Sequence, residues 1–409
     1  MYTKSRWVAG LFAAVLAVTL MAARASAQGT SGYFQTDPEP YPPFSRNLND
    51  GGIFIAGEYV MYRQTNPIKS QVLGLRGFTV TLPNAVPDPT GTFPLAVGTF
   101  VGNQSVALNT NDLTGEEFAP GYKIDLGWRF QDGSVLSLST LRLFNATKTS
   151  GATFAAPGFN VGQTLENSFI SAPVFNFPPE FSGPDKITDA AGNPIQGAAV
   201  GIWNGASIMT EKFETRTEIW DLTYRLPAFY ESETCKMSGW FGGRYFRIHD
   251  QFYWATIDIN ANTGTGGGLN EGDYTAIASN NLWGVDTGLS YEQYLGNGFA
   301  VQLDLGAAAL LDIVRERAEY TLGLRDTGPE GKKSRSDYTF APELTGSIAL
   351  MWYPVQGVQV RLGYNAMAVF NTIGTENPVS FNFAAPDPTF NRIPLRLFDG
   401  FDFGVAFIF

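Results

Sequence analysis

Sulfur and imidazole are almost missing from this chain. Its 409 residues hold one cysteine, Cys235, and one histidine, His249. A lone cysteine excludes an internal disulfide framework. A lone histidine leaves no material for a multi-histidine metal site. Charge is scarce too: Asp, Glu, Lys and Arg make up 16% of the residues, against about 25% in an average soluble domain. The balance is acidic, 38 carboxylates against 27 cations for a formal net charge of −11, which argues against a nucleic-acid partner. Apart from Val8 to Ala23, no apolar run approaches the ~20 residues of a membrane helix. Signatures of catalysis are missing as well. No Gly-x-Ser-x-Gly elbow occurs, and Gly264-Thr265-Gly266-Gly267-Gly268 lacks the Lys and Ser/Thr of a phosphate loop. His249 and Asp250 are the one acid–base pair worth testing, but neighbours on a strand point to opposite faces. The expectation is a protein that is no enzyme and uses no cofactor and no metal.

What the chain does have is glycine, 45 residues, and aromatics, 14%, set in a period of two. The last strand shows the pattern most fully. Leu397, Phe401, Phe403, Val405, Phe407 and Phe409 share one parity, interrupted by Asp399, while Gly400, Asp402, Gly404 and Ala406 share the other. Tyr122, Ile124, Leu126, Trp128 and Phe130 likewise oppose Gly121, Lys123, Asp125, Gly127 and Arg129. A soluble core does not bury the charged parity, and a water-facing sheet does not expose the aromatic one. Lipid outside and water inside satisfies both.

Ten such strands can be traced: about Ile53–Arg63, Tyr122–Phe130, Val135–Thr147, a strand around Trp220–Leu226, Met237–His249, Trp283–Glu292, Phe299–Ala309, Tyr338–Trp352, Val358–Phe370 and Leu397–Phe409. The third loses its parity near Thr140 to Leu143, where a bulge is expected. The fifth is ambiguous, with Trp240, Phe246 and Ile248 competing against Phe241 and Tyr245. Connections alternate between short turns, such as Gln131-Asp132-Gly133-Ser134 and Leu295-Gly296-Asn297-Gly298, and long loops that include the charged stretch Arg315 to Ser336. Val72–Leu82 and Leu95–Leu108 could add a further hairpin. The fold expected is therefore all-β: a transmembrane antiparallel up-and-down β-barrel of about 10 to 12 strands, with long external loops and short periplasmic turns.

The first residues read as an export signal. Lys4 and Arg6 precede the apolar run, and Ala25-Ser26-Ala27 is a small-residue cleavage site. This divides the chain into a signal peptide, 1–27, a Pro-, Gly- and Asn-rich periplasmic lead-in, 28–50, and a barrel, 51–409. Localisation in the outer membrane follows, with outer-membrane lipids and the barrel-assembly machinery as partners and homo-oligomer formation left open.

Several segments resemble known barrels. The final residues resemble the assembly signal of bacterial outer-membrane barrels, matched by Asp402, Gly404, Phe407 and Phe409. Phe118 to Phe144, with Pro120-Gly121-Tyr122 and Gly127-Trp128-Arg129-Phe130, resembles the pore-forming major-outer-membrane-protein type of barrel. So do Gly242-Gly243-Arg244-Tyr245-Phe246-Arg247-Ile248 and Trp283 to Leu305. Gly52 to Arg76 resembles the β-barrel porin families of planctomycetes. The resemblance implies a porin: passive diffusion of ions or small hydrophilic solutes. On the polar parity, Lys123, Asp125, Arg129, Asp221, Arg225, Asp286, Glu292, Asp304, Glu343, Arg361 and Asp402 would face the lumen. Seven carboxylates against four cations give a weak cation preference. The alternative is a closed barrel, since narrow barrels fill their interiors with side chains. It would act as a structural anchor or a surface-display or adhesion protein.

Overall fold

A strand whose two faces need different surroundings is satisfied when its sheet closes, because closure gives each parity its own environment and leaves no backbone edge unpaired. The computed structural model describes residues 52–65, 68–79, 100–115, 117–153, 168–175, 203, 206–232, 234–257, 271–322, 330–355, 357–383, 385–388 and 392–408. The expected signal peptide, the lead-in, the Gly264–Gly268 run and Phe409 lie outside these residues. The strands are β1 (Gly52–Gln64), β2 (Val72–Thr79), β3 (Phe100–Asn109), β4 (Ala119–Arg129), β5 (Val135–Leu143), β6 (Ala146–Thr153), β7 (Ser168–Ser171), β8 (Ile208–Arg225), β9 (Tyr230–Glu231), β10 (Cys235–Ile257), β11 (Glu271–Gly296), β12 (Phe299–Leu322), β13 (Glu330–Val355), β14 (Val358–Ile373) and β15 (Arg392–Ile408).

Ten of them form a closed antiparallel ring in the order β1, β4, β5, β8, β10, β11, β12, β13, β14, β15. The last strand returns to the first over eleven register pairs, from Phe54 opposite Ile408 to Gln64 opposite Phe398. Short turns join the strands at one end of the ring. At the turn after β4, Asp132 accepts hydrogen bonds from the Ser134 amide at 2.9 Å and its hydroxyl at 2.6 Å, and these bonds hold its carboxyl below the usual range. The turn after β11 places Gly296, Asn297 and Gly298 at φ of 94°, 54° and 79°, left-handed geometry that favours glycine and asparagine.

The outward parity is apolar around the ring. Leu126 and Trp128 on β4, Leu222 on β8, Val285 on β11, Phe340 on β13 and Phe403 on β15 are all exposed. On the fifth traced strand, β10, the structure decides between the two competing parities. Phe241 is outward and exposed, while Phe246 and Ile248 are inward and fully buried.

Two expectations need correction, and the strand count narrows to the ten traced in the sequence. The charged stretch Arg315 to Ser336 is largely ladder, with Arg315 paired to Ser336 and Thr321 to Glu330 between β12 and β13. Beyond lipid, both faces of a strand can meet water, so the apolar period fades although the backbone bonds continue. Strands β10 to β13 thus run to 23, 26, 24 and 26 residues, where about 9–11 span a bilayer. Next, β2 and β3 pair with each other and with β7 in a separate three-stranded sheet, so the ring has ten strands and not twelve. Last, β5 stays in register with β4 as far as Leu143. The break comes afterwards, at Phe144 and Asn145, and β6 then prolongs β5 along β8.

At the loop end, inward residues of the long strands meet segments folded back over them. Phe383 stacks on Tyr320 and Tyr274, with ring centroids 4.5 and 5.9 Å away, and meets Trp203 edge-on at 5.1 Å. The Tyr274 and Tyr320 hydroxyls donate to the carbonyls of Pro378 and Phe383 at 3.0 and 2.9 Å. Leu73, Leu108, Met209, Phe213 and Trp254 belong to the same core. One carboxylate is buried in the same layer. Glu211, nine residues beyond the lipid-facing Trp220 on β8, is 1% exposed and has no hydrogen-bond partner for either oxygen. Burial, aided by Asp112, pushes its carboxyl up to about 8.

Two outcomes follow. Leu126→Arg, outward on β4 between Ile55 and Leu138, should destabilise the barrel by about 2–4 kcal/mol if the site lies near the bilayer midplane. Ser137→Arg, on the opposite face of the sheet, should cost much less; urea unfolding from liposomes gives the order. Glu211 should make the loop end weaken with rising pH. Its carboxyl ionises near 4.5 when exposed and near 8 when folded, so stability is full below 4.5 and falls as pH climbs toward 8. The urea midpoint of tryptophan fluorescence should drop across that window, and Glu211→Gln should flatten the drop.

Candidate functional site: a charged chamber beneath an apolar seal

Closing the ring turns the inward parity into an enclosed space. Toward the turn end lies a cavity of about 450 Å³, with side chains from every strand of the ring in its wall. Most of the charges there are matched locally. Lys123 sits 3.4 Å from Glu58 and 3.1 Å from Asp125. Arg361 donates to Asp402 at 2.9 Å, and Asn365 donates to the same carboxylate. Asp304 accepts two bonds of 2.8 Å from Gln302 and one of 3.2 Å from Ser347. Glu292 accepts from the Tyr353 hydroxyl at 3.2 Å, and Arg225 donates to Ser238 at 3.4 Å. Arg129 lines the cavity near the turns.

Arg244 is the hub of the upper wall. Its Nε and Nη2 hold both oxygens of Asp221 at 2.7 and 3.0 Å, and its Nη1 reaches Glu343 at 2.7 Å. Asp286 also lines the cavity, but its Oδ1 has no hydrogen-bond partner. Cross-strand register explains the grouping. Asp286 on β11 lies beside Gly242 on β10 and Ala308 on β12, and Ala308 lies beside Glu343 on β13. These small residues leave room for the long side chains to meet across the lumen.

Above this chamber the lumen turns apolar. Val60, Tyr62, Leu141, Leu143, Ile219, Phe246, Ile248, Leu282, Leu310, Ala341, Met367, Val369 and Phe398 form one buried cluster. With Ala308 they come from every strand of the ring except β4, and none is more than 9% exposed. Above them lies a buried ion pair. Arg396 and Asp250 stand 2.9 Å apart with side chains 1% and 0% exposed. Thr215 donates to Asp250 at 2.8 Å, and Asn280 ties in by exchanging two bonds with the Ile373 backbone at 2.7 and 2.8 Å. Asp250 is therefore committed to the interior, while its neighbour His249 sits on the other parity and is not brought to it.

The terminal strand serves both faces. Asp402 holds Arg361 inside, and Gly404 packs against Glu58, where an added Cβ would come within 2.4 Å of Glu58 Cγ. Phe407 is exposed on the outside. Sequence reasoning omitted Glu58, Lys236, Trp240 and Arg244 from the lumen wall and left Arg396 just outside the traced Leu397–Phe409 strand. Glu58 and Lys236 were readable from parity alone. Trp240 and Arg244 share a parity with Phe246 and Ile248, and on a barrel strand that parity reads as lipid-facing until the interior is known to be filled.

No family model matches the chain, and no curated protein matches it. Among solved structures it is similar to the outer membrane protease OmpT from Escherichia coli, at 8% identity and a TM-score of 0.39 over 88% of this chain and 97% of that one. It is also similar to Ail, the attachment invasion locus protein of Yersinia pestis, at 8% identity and a TM-score of 0.20 over 88% and 98% of the two chains. The toluene transporter TodX of P. putida matches at 8% identity and a TM-score of 0.24 over 87% and 89%. The strand pairing described above, and not these distant likenesses, carries the assignment: the chain is an all-β antiparallel barrel of the outer-membrane type.

Proposed function

We propose that this protein is a closed outer-membrane barrel that anchors a loop-built surface outside the cell. The observation that carries this reading is the apolar seal. A water-filled passage would wet the inward side chains along its whole length, yet Phe246, Ile248, Leu282, Leu310 and Phe398 are all 0% exposed. Apolar constrictions of this kind stop ions by excluding water. The extended strands and the packed loop segments support the second half of the reading: protein extends well past the lipid-facing band and is ordered by a core of its own.

The charged chamber favours a second reading, the diffusion porin, in which the seal opens. The two are separated by single-channel recording in a planar bilayer. The closed barrel should add no steady conductance to the lipid baseline. A stable ohmic conductance from well-folded protein would overturn it. In that case the chamber's carboxylates should give a modest cation preference that fades as the Debye length contracts to about 3 Å at 1 M salt. Neutralising Asp286 and Glu292 together should then shift the reversal potential.

Export and insertion belong to the same proposal. The signal peptide would deliver the chain, and the barrel-assembly machinery would read the terminal strand. Deleting Phe407 to Phe409 should abolish heat-modifiable gel migration and leave a periplasmic precursor. Normal insertion of the shortened chain would remove the assembly role from these residues.

A further inference from the structure

Every carboxylate on the chamber wall except one has a cation, amide or hydroxyl within hydrogen-bond distance. Asp286 is the exception. It is 4% exposed, lines the cavity, and has no hydrogen-bond partner for Oδ1. The nearest guanidinium, that of Arg244, is already occupied by Asp221 and Glu343. Glu343, in the same cross-strand row and 0% exposed, keeps its Oε2 unbonded as well. Three carboxylates thus share one cation, and the surplus negative charge is deeply desolvated, a costly arrangement unless a positive group joins it.

One residue-pair step toward the turn end, the wall changes character. Trp240 lies over Gly288 and Gly306, where added Cβ atoms would meet its ring at 2.4 and 2.9 Å. Those two glycines pair with each other and flank the row that carries Asp286 and Ala308. An indole surface therefore sits next to an unmatched carboxylate, inside a cavity of about 450 Å³. The volume falls within the range of small-molecule sites, about 300–1,000 Å³, and the Trp240 ring supplies an apolar face in an otherwise charged wall.

We propose that the chamber binds a small organic ammonium ion, its N–H groups on Asp286 and its hydrocarbon on the Trp240 ring. The aromatic wall suits an alkylammonium through dispersion and cation–π attraction. A divalent metal fits poorly, because among the described residues no group of three His, Cys, Asp or Glu is placed to hold one. The site lies on the turn side of the seal, so with the orientation proposed above its ligand comes from the periplasm and needs no passage through the lumen.

The test is equilibrium dialysis of radiolabelled n-butylammonium against the full-length barrel in neutral detergent, with sodium chloride fixing the ionic strength. One saturable site per chain is expected, displaced by unlabelled n-butylammonium and not by n-butanol. Asp286→Asn, which keeps the shape and removes the charge, should weaken binding by about tenfold or more. Trp240→Phe should weaken it less. Absence of saturable binding to folded wild type overturns the proposal without any variant. So does equal affinity in a folded Asp286→Asn protein, or equal competition by n-butanol. Channel recording reads the seal and dialysis reads the chamber, so either reading can fail without the other.

Discussion

The structure depends on one requirement: inside a bilayer, each backbone N–H and C=O must find its partner within the protein. The ring meets it through ten antiparallel ladders, of which the ladder from β1 to β15 is the one that removes the last two edges. Once the ladders are fixed, side-chain parity has no freedom left. Every strand must offer its greasy side to lipid, and whatever stands on the other parity is confined to a narrow interior. The chamber, the seal and the buried ion pair are successive answers to the question of how that interior is filled.

Those answers rest on size as much as on charge. Large inward side chains need small residues across from them. Trp240 lies over Gly288 and Gly306, and Gly127 is covered by the Phe54 ring, which an added Cβ would meet at 2.1 Å. The ionic groups follow the same logic. Arg244 spans from β8 to β13 because Gly242 and Ala308 leave the row between them open. A narrow lumen makes each such contact depend on residues from three or four strands at once, so charge pairing and packing are decided together.

This explains what could be read from the sequence. Lipid is a uniform solvent, and uniform demands leave uniform patterns: Tyr122, Ile124, Leu126, Trp128 and Phe130 announce their face with no knowledge of the rest of the chain. The short turns are equally local, since Asp132-Gly133 and Gly296-Asn297-Gly298 fix their geometry by themselves. The interior is different, because a residue's role there is set by register. Arg396 sits in a segment without period and matters only because the fold brings it within 2.9 Å of Asp250. Nothing near it in sequence says so. The filled lumen also defeats parity on β10, where aromatics face inward. Strand ends beyond the lipid band were missed for the opposite reason, since water on both sides erases the pattern while the hydrogen bonds persist.

The ring is uneven in height. β1 has 13 residues and β13 has 26, a difference of about 40 Å of strand at 3.3 Å per residue. The four longest strands, β10 to β13, are consecutive around the ring, and β8 and β6 carry the ladder to the end of β10, with Ile208 opposite Ile257 and Thr153 opposite Ile208, so the surplus stands on the side from β6 to β13. The folded-back segment with Phe383 leans on the inner face of that wall, against Tyr274 and Tyr320. The ladder of the described strands is therefore higher on one side of the ring than on the other. A partner approaching in the plane of the membrane would meet a longer run of paired strand from one bearing than from the other.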